Sequence, residues 1–174
     1  MIHSALCAVR DTLRRRVGTR PNGEQLVHIT CPGKGIEGQR NYLGLMFIGL
    51  EQETCLQSDI PQGMSLDANI VFMLYSVFAD YGESLHHLSG ALSCFQETSS
   101  VTRTDFPGLN LPEHTMHIEP YFFPLVQQLQ TWNPFMDDSI PFMFYKLRSL
   151  RFRAKKGAAP IVKEIDAAFR KGGT

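Results

Sequence analysis

No stretch of this 174-residue chain stays apolar long enough to cross a membrane. The longest such runs, Tyr42–Leu50 and Ile70–Ala79, fall well short of the roughly 18 residues that a spanning helix needs. The order of a secretion signal is missing too. The N-terminal apolar stretch comes first and Arg10, Arg14, Arg15 and Arg16 follow it, whereas a signal puts its positive charge in front, so export by the general route is not expected. Cysteine is scarce: Cys7, Cys31, Cys55 and Cys94 have no paired spacing. The simplest account is reduced, partly buried thiols in a cytoplasmic protein, with Cys7 and Cys94 in apolar helical patterns. Internal repeats and low-complexity tracts are absent, and net charge cancels, with 17 basic and 17 acidic side chains.

What is present suits one soluble domain with a real core: 43 % apolar and 20 % charged residues, which argues against wholesale disorder. The zero net charge hides strong internal polarity. Residues 1–50 carry seven Lys or Arg and three acids, residues 51–138 one basic residue (Arg103) and twelve acids, and residues 139–174 nine basic residues and two acids. Such polarity either steers oriented association with a partner or lets the basic ends fold back and pair with the acidic middle.

Periodicity sets the elements. Ile2, Leu6, Val9 and Leu13 recur at helical spacing, with Asp11 four before Arg15 for an exposed ion pair, which predicts an N-terminal amphipathic helix closed by Arg14–Arg16. After the Pro21-Asn-Gly break, Gln25–Thr30 reads as a short strand. A glycine-rich connection leads to Asn41–Leu50, a strand apolar on both faces and too interrupted by Gly44 and Gly49 for a helix. Ser58–Ser65 is a loop and Asn69–Ala79 a second strong strand. Glu83–Thr98 is the clearest helix, with Leu85, Leu88, Leu92 and Phe95 on one stripe. Thr98–Pro112 reads as a polar loop, Thr115–Ile118 as a short strand, Phe123–Trp132 as a helix with Leu125, Leu129 and Trp132 inward, and Asn133–Pro141 as a turn-rich link.

Phe142–Phe152 is a third strong strand. Tyr145 and Leu147 alternate with Lys146 and Arg148, and then the apolar set shifts to Leu150 and Phe152 with Arg151 and Arg153 opposite; that change of parity predicts a bulge near Ser149. Pro160 opens a last helix with Ile161, Ile165 and Phe169 on one stripe. The order favours an α+β fold, a single domain with a largely antiparallel or mixed sheet flanked by helices.

Chemistry-bearing motifs are thin. Lys34 lies in Pro-Gly-Lys-Gly, without the spacing of a phosphate loop or a following Ser or Thr. His114 and His117, three apart, would sit on opposite faces of a strand, and the adjacent His86 and His87 diverge on a helix; no metal or cofactor is expected. Asp137 and Asp138 read as a turn. Glu51 and Glu53 end an apolar strand on one side, where they could hold a cation or an arginine; a solvated strand end is the default. No nucleophile elbow, Cys–His signature or dinucleotide fingerprint occurs, so the expectation is a protein without catalytic activity. The strongest lead is basic: Lys146, Arg148, Arg151, Arg153, Lys155 and Lys156 fall within eleven residues. Aromatics are not interleaved on that face as a single-strand nucleic-acid binder would want, and the acidic middle would repel a polyanion, so a protein partner is favoured over nucleic acid.

Four stretches then resemble a known family. They are Met1 to Leu6 leading into a helix; Gly49 to Thr54 followed by Cys55-Leu56; Ala68 to Gln96, with Tyr75 to Ala79, Tyr81, Leu85, Leu88-Ser89 and Phe95-Gln96; and Thr131-Trp132 through Pro141, Tyr145-Lys146 and Arg148. Together they span roughly residues 1–153 and resemble the cap, or tail-terminator, family of extracellular contractile injection systems, phage-tail-like particles. Larger members carry a further C-terminal domain, where this chain has one helix. The resemblance implies a cap domain over 1–153, followed by a basic linker and C-terminal amphipathic helix over 154–174. It implies a fold similar to phage tail terminators, a homohexameric ring on the end of the inner tube and sheath, the tube and sheath proteins as partners, and no catalytic residues or cofactors. Such a subunit would assemble in the cytoplasm and reach the outside within a released particle. Lys146, Arg148, Arg151, Arg153, Lys155 and Lys156, with Arg14, Arg15, Arg16, Glu51 and Glu53, are then the candidate protein-interaction residues. A baseplate or second-layer adaptor of the same machine and a small nucleic-acid-binding regulator are the alternative readings.

Overall fold

The computed structural model describes residues 1–17, 23–31, 41–52, 65–124, 126–127, 130 and 140–153, the side chains at 65–67 and 149–153 excepted. Helix α1 (Ile2–Val17) turns Ala5, Leu6, Ala8, Val9 and Leu13 inward at helical spacing and ends on Arg14–Arg16, which suits the negative end of its dipole. Helix α2 (Tyr81–Glu97) starts where Asp80, in an extended conformation, accepts a hydrogen bond from the Glu83 N–H at 2.8 Å, an N-cap worth roughly 1 kcal/mol. The stripe of α2 is rotated from the one read in the sequence. Ser84, Leu88, Ala91, Cys94 and Phe95 face inward while Leu85 is exposed. The reason is Ser84, whose hydroxyl accepts the Phe78 N–H at 3.1 Å and so turns a polar side chain inward at the end of the preceding strand.

The six strands are β1 (Val27–Ile29), β2 (Tyr42–Gln52), β3 (Ser65–Val77), β4 (Ser100–Val101), β5 (Met116–Pro120) and β6 (Phe142–Arg153). They form one mixed sheet in the order β1-β2-β3-β6-β5-β4, parallel only between β1 and β2. The expected α+β class with a mixed sheet is what the structure has. β3 begins four residues before its expected start and runs antiparallel between β2 and β6. The stretch read as a polar loop holds β4, and its Phe106 and Leu111 are buried in the core. Of the two histidines read as strand neighbours, only His117 lies on β5. The expected helix over Phe123–Trp132, the link that follows it and the helix after Pro160 lie mostly or wholly outside the described residues.

Two bulges shape the ribbon formed by β2, β3 and β6. The pair Ile70↔Leu147 is followed by Ala68↔Leu150, so β6 carries one extra residue at Arg148–Ser149, where the parity change in the sequence put it. A second shift, between Phe47 and Gly49 of β2, had no such sign. Both helices pack on one face of the sheet, over Leu43, Leu45, Ile70, Phe72, Leu74, Tyr145 and Leu147. The other face carries an aromatic cluster around Tyr42, Met73, Tyr75 and Phe144, joined by Tyr121, Phe123 and Phe142. Gly44 is needed there: a Cβ would overlap the Tyr75 ring, which lies across it at the register pair Gly44↔Tyr75. β2 is buried on both faces only in its first four residues; from Met46 onward its burial loosens. No helix among the described residues is long and apolar enough to cross a membrane.

Candidate protein-interaction surface

The basic residues singled out in the sequence fall in three places. Arg14, Arg15 and Arg16 end α1, and each is engaged within the chain. The Arg14 guanidinium donates to the Val27 carbonyl at 2.7 and 3.0 Å; burial and the nearby Arg10 pull its pKa below the ordinary arginine value. Arg15 lies 4.5 Å from the centre of the Phe106 ring and donates to the Asp105 carbonyl at 3.1 Å. Arg16 pairs with Glu97 of α2 at 2.7 Å. The expected Asp11–Arg15 pair does not form: Asp11 is taken by Arg10 at 2.7 Å and Arg14 at 3.8 Å, because Arg15 points across to the loop after β4. Asp105 is held below its ordinary pKa by hydrogen bonds from the Thr102 hydroxyl and N–H.

The second place is the sheet face away from the helices. Strand alternation puts Lys146 and Arg148 there, beside the aromatic cluster. Lys146 reaches Glu51 of β2 at 2.5 Å across β3 and stands 4.3 Å from the centre of the Tyr121 ring. Arg148 pairs with Glu119 of β5 at 3.2 Å. This face thus carries two acid–base pairs, Glu51 of β2 with Lys146 of β6 and Glu119 of β5 with Arg148 of β6. Glu51 does hold a cation, and it is the chain's own lysine. Exposed pairs of this kind contribute up to about 1 kcal/mol each, and they leave less free positive charge than the sequence promises.

The third place is the far end of β6. The one-residue bulge keeps positions 151 and 153 on the same sheet face as 146, in register with Asp67 and Ser65. Arg151 therefore stands opposite an acid and Arg153 opposite a neutral residue. Glu53, Lys155 and Lys156 lie outside the described residues. Sequence reasoning missed the partners Glu119, Tyr121, Glu97 and Phe106, because which acid meets which base is set by strand register and helix packing. One signal was half available: Lys146 lies on the strand read as Phe142–Phe152, whereas Glu119 falls one residue past the strand read as Thr115–Ile118.

The remaining chemistry-bearing groups are buried or stacked. Cys7, Cys31 and Cys94 are free thiols, and burial raises the Cys94 pKa, which makes it a poor nucleophile. His87 stacks on Phe78 at 4.2 Å between ring centres; loss of water there, with His86 beside it, lowers its pKa. Burial likewise raises the Tyr75 and Tyr145 phenols. Among the described residues no His, Cys, Asp or Glu cluster is arranged to hold a metal ion. What these surfaces can do is bind: a polar, self-paired sheet face flanked by a basic strand end.

Comparisons with known proteins bear on what they bind. The Pvc16 N-terminal domain family model matches residues 8–164. The fold is similar to the sheath/tube terminator of PVC, an extracellular contractile injection system, in its extended state, with a TM-score of 0.67, 10 % identity and coverage of 92 % of this chain and 60 % of that one. It is also similar to the tube-terminating cap of the anti-feeding prophage, with a TM-score of 0.62, 8 % identity and coverage of 89 % and 56 %. This chain spans less than two thirds of the length of either. No curated protein matches it.

Proposed function

The chain belongs to the Pvc16 N-terminal domain family, and from that premise we propose that it is a cap subunit that ends the tube and sheath of a contractile injection system. The observation that carries this reading is the fold: nearly the whole chain superposes on a sheath/tube terminator. A growing tube is a stack of heterologous interfaces and does not stop by itself. A cap stops it by matching the last ring on one side and offering no copy of that surface on the other. The mechanism is steric and electrostatic and needs no chemical step.

In this reading copies of the chain close into a six-membered ring, and the basic end of β6 meets acidic surface on the last tube or sheath ring. The internal pairing of Lys146, Arg148 and Arg14–Arg16 narrows the candidates to Arg151, Arg153, Lys155 and Lys156. Assembly takes place in the cytoplasm, and the subunit leaves the cell inside the finished particle. Reversing the charge at Arg151 and Arg153 is expected to detach the cap and give tubes of uncontrolled length by electron microscopy, with the isolated protein still folded. Capped particles of normal length from that double variant would overturn the assignment of these residues.

A further inference from the structure

The two edges of the sheet are finished differently. At one, β4 is two residues long, and the main chain around it is already engaged. The Thr102 N–H donates to the Asp105 carboxylate at 3.0 Å and the Ile118 N–H to the Ser99 carbonyl at 2.7 Å. Pro120, which ends β5, has no N–H to offer. A short edge closed in this way resists pairing with another chain. At the other, β1 spans only Val27–Ile29 against Leu43–Leu45, while β2 runs on to Gln52 with β3 on its inner side. Among the described residues no strand pairs with Met46–Gln52 from outside.

The ladder shows which main-chain groups face that open side. The Leu43 N–H donates to the Leu26 carbonyl at 2.8 Å, and the Leu45 carbonyl accepts from the Thr30 N–H at 3.0 Å. This set of residues therefore turns its main-chain groups outward, to β1. Its register partners on β3 are Ser76 and Leu74; the next alternate residues of β3, Phe72 and Ile70, pair with Phe47 and Leu50. The bulge at Ile48 thus keeps Phe47 and Leu50 in the outward set. β1 cannot follow them in that pattern, because the next rung needs an N–H from position 32, which is proline. The same two residues carry this strand's exposed apolar side chains, Phe47 at 39 % and Leu50 at 45 %. An open main-chain edge of about 20 Å and two uncovered apolar side chains beside it call for one cover. Another extended main chain meets both needs at once. A second copy offers no matching strand: its opposite edge is the blunted one, and β2 against β2 would set bulge against bulge and interrupt the ladder.

We propose that the outer edge of β2, from Met46 to Gln52, takes up an extended strand of a partner polypeptide that has apolar side chains at alternate positions, lengthening the sheet past β1. The inference concerns the chain by itself and does not rest on the cap reading, which is tested on particles. The probe is a library of random peptides of about twelve residues, longer than the edge, displayed on phage and selected on the full chain. Selected peptides are expected to alternate apolar and polar residues, and the tightest of them to slow hydrogen exchange of the Met46–Gln52 amides when bound. N-methylation of that peptide at the alternate amides that face β2 is expected to weaken binding about tenfold or more at each position, since each blocked amide costs a main-chain hydrogen bond. N-methylation at the intervening amides should weaken it far less. Leu50→Asp is expected to weaken binding by a similar factor while α1 and α2 keep their exchange protection. Should Leu50→Asp disturb the sheet, the N-methyl series on the unaltered chain decides alone. Failure of any peptide to enrich, binding that leaves the Met46–Gln52 amides unprotected, or binding indifferent to N-methylation would overturn the proposal. Concentration-dependent self-association of the full chain that Leu50→Asp abolishes would overturn it too, by giving the edge to a second copy.

Discussion

Phe72 and Phe47 are register partners on adjacent strands and face the same side of the sheet, but one is wholly buried and the other over a third exposed. Phe72 stacks on Tyr145 with ring centres 5.6 Å apart and meets Phe95 of α2 edge-on at 6.4 Å. Phe47 stands where no described helix reaches. The boundary between the covered strands β3 and β6 and the more open second half of β2 runs between them. Burial is therefore a property of place and not of residue type: the same side chain anchors the core on β3 and stands partly open on the neighbouring β2. The covered face has its charges at the rim, where α1 arginines bind neighbouring elements. The other face has its charges in pairs across strands.

The comparison can be broken most sharply at its centre. Phe72→Ala is expected to cost about 3–5 kcal/mol of stability, from lost transfer energy and the cavity left behind. Phe47→Ala should cost clearly less. Chemical denaturation of both variants checks this, and equal losses would mean that the second half of β2 is as tightly packed as β3. A smaller effect tests the charged pairs. Removing the Glu51–Lys146 pair by Lys146→Met should change stability by about 1 kcal/mol or less, with the difference shrinking at high salt. A double-mutant cycle with Glu51→Gln separates the pair from the packing of the lysine stem on Tyr121.

The smallest effect expected is at His87, on the covered side. Its pKa is lowered in the folded chain, so the unfolded chain takes up the proton first as pH falls. Stability is then unaffected above the ordinary histidine range and declines as pH drops through about 6.5 towards the folded value. His87→Phe, which keeps the stacking on Phe78 and removes the charge, should flatten that part of the stability–pH curve. A curve of unchanged slope would show that His87 is not the group responsible.

Much of this was legible beforehand. The apolar periods gave α1, α2 and the three long strands, and the shift from Tyr145 and Leu147 to Leu150 and Phe152 located the bulge in β6. The misreadings share a cause. Leu85 was assigned inward because leucine is apolar, yet Ser84 took that place through a hydrogen bond to Phe78. Thr98–Pro112 looked polar, but its isolated Phe106 and Leu111 are buried in the main core. The bulge at Ile48 of β2 left no trace in a run that is apolar on both faces.

The sequence alone determined what depends on near neighbours: the helix and strand periods and the polarised charge. Only the tertiary structure decided which of the basic residues are already spent on internal partners, and where the helix layer ends. Both depend on the register between strands distant in the chain. That register comes from packing summed over a whole face, and local propensity does not encode it.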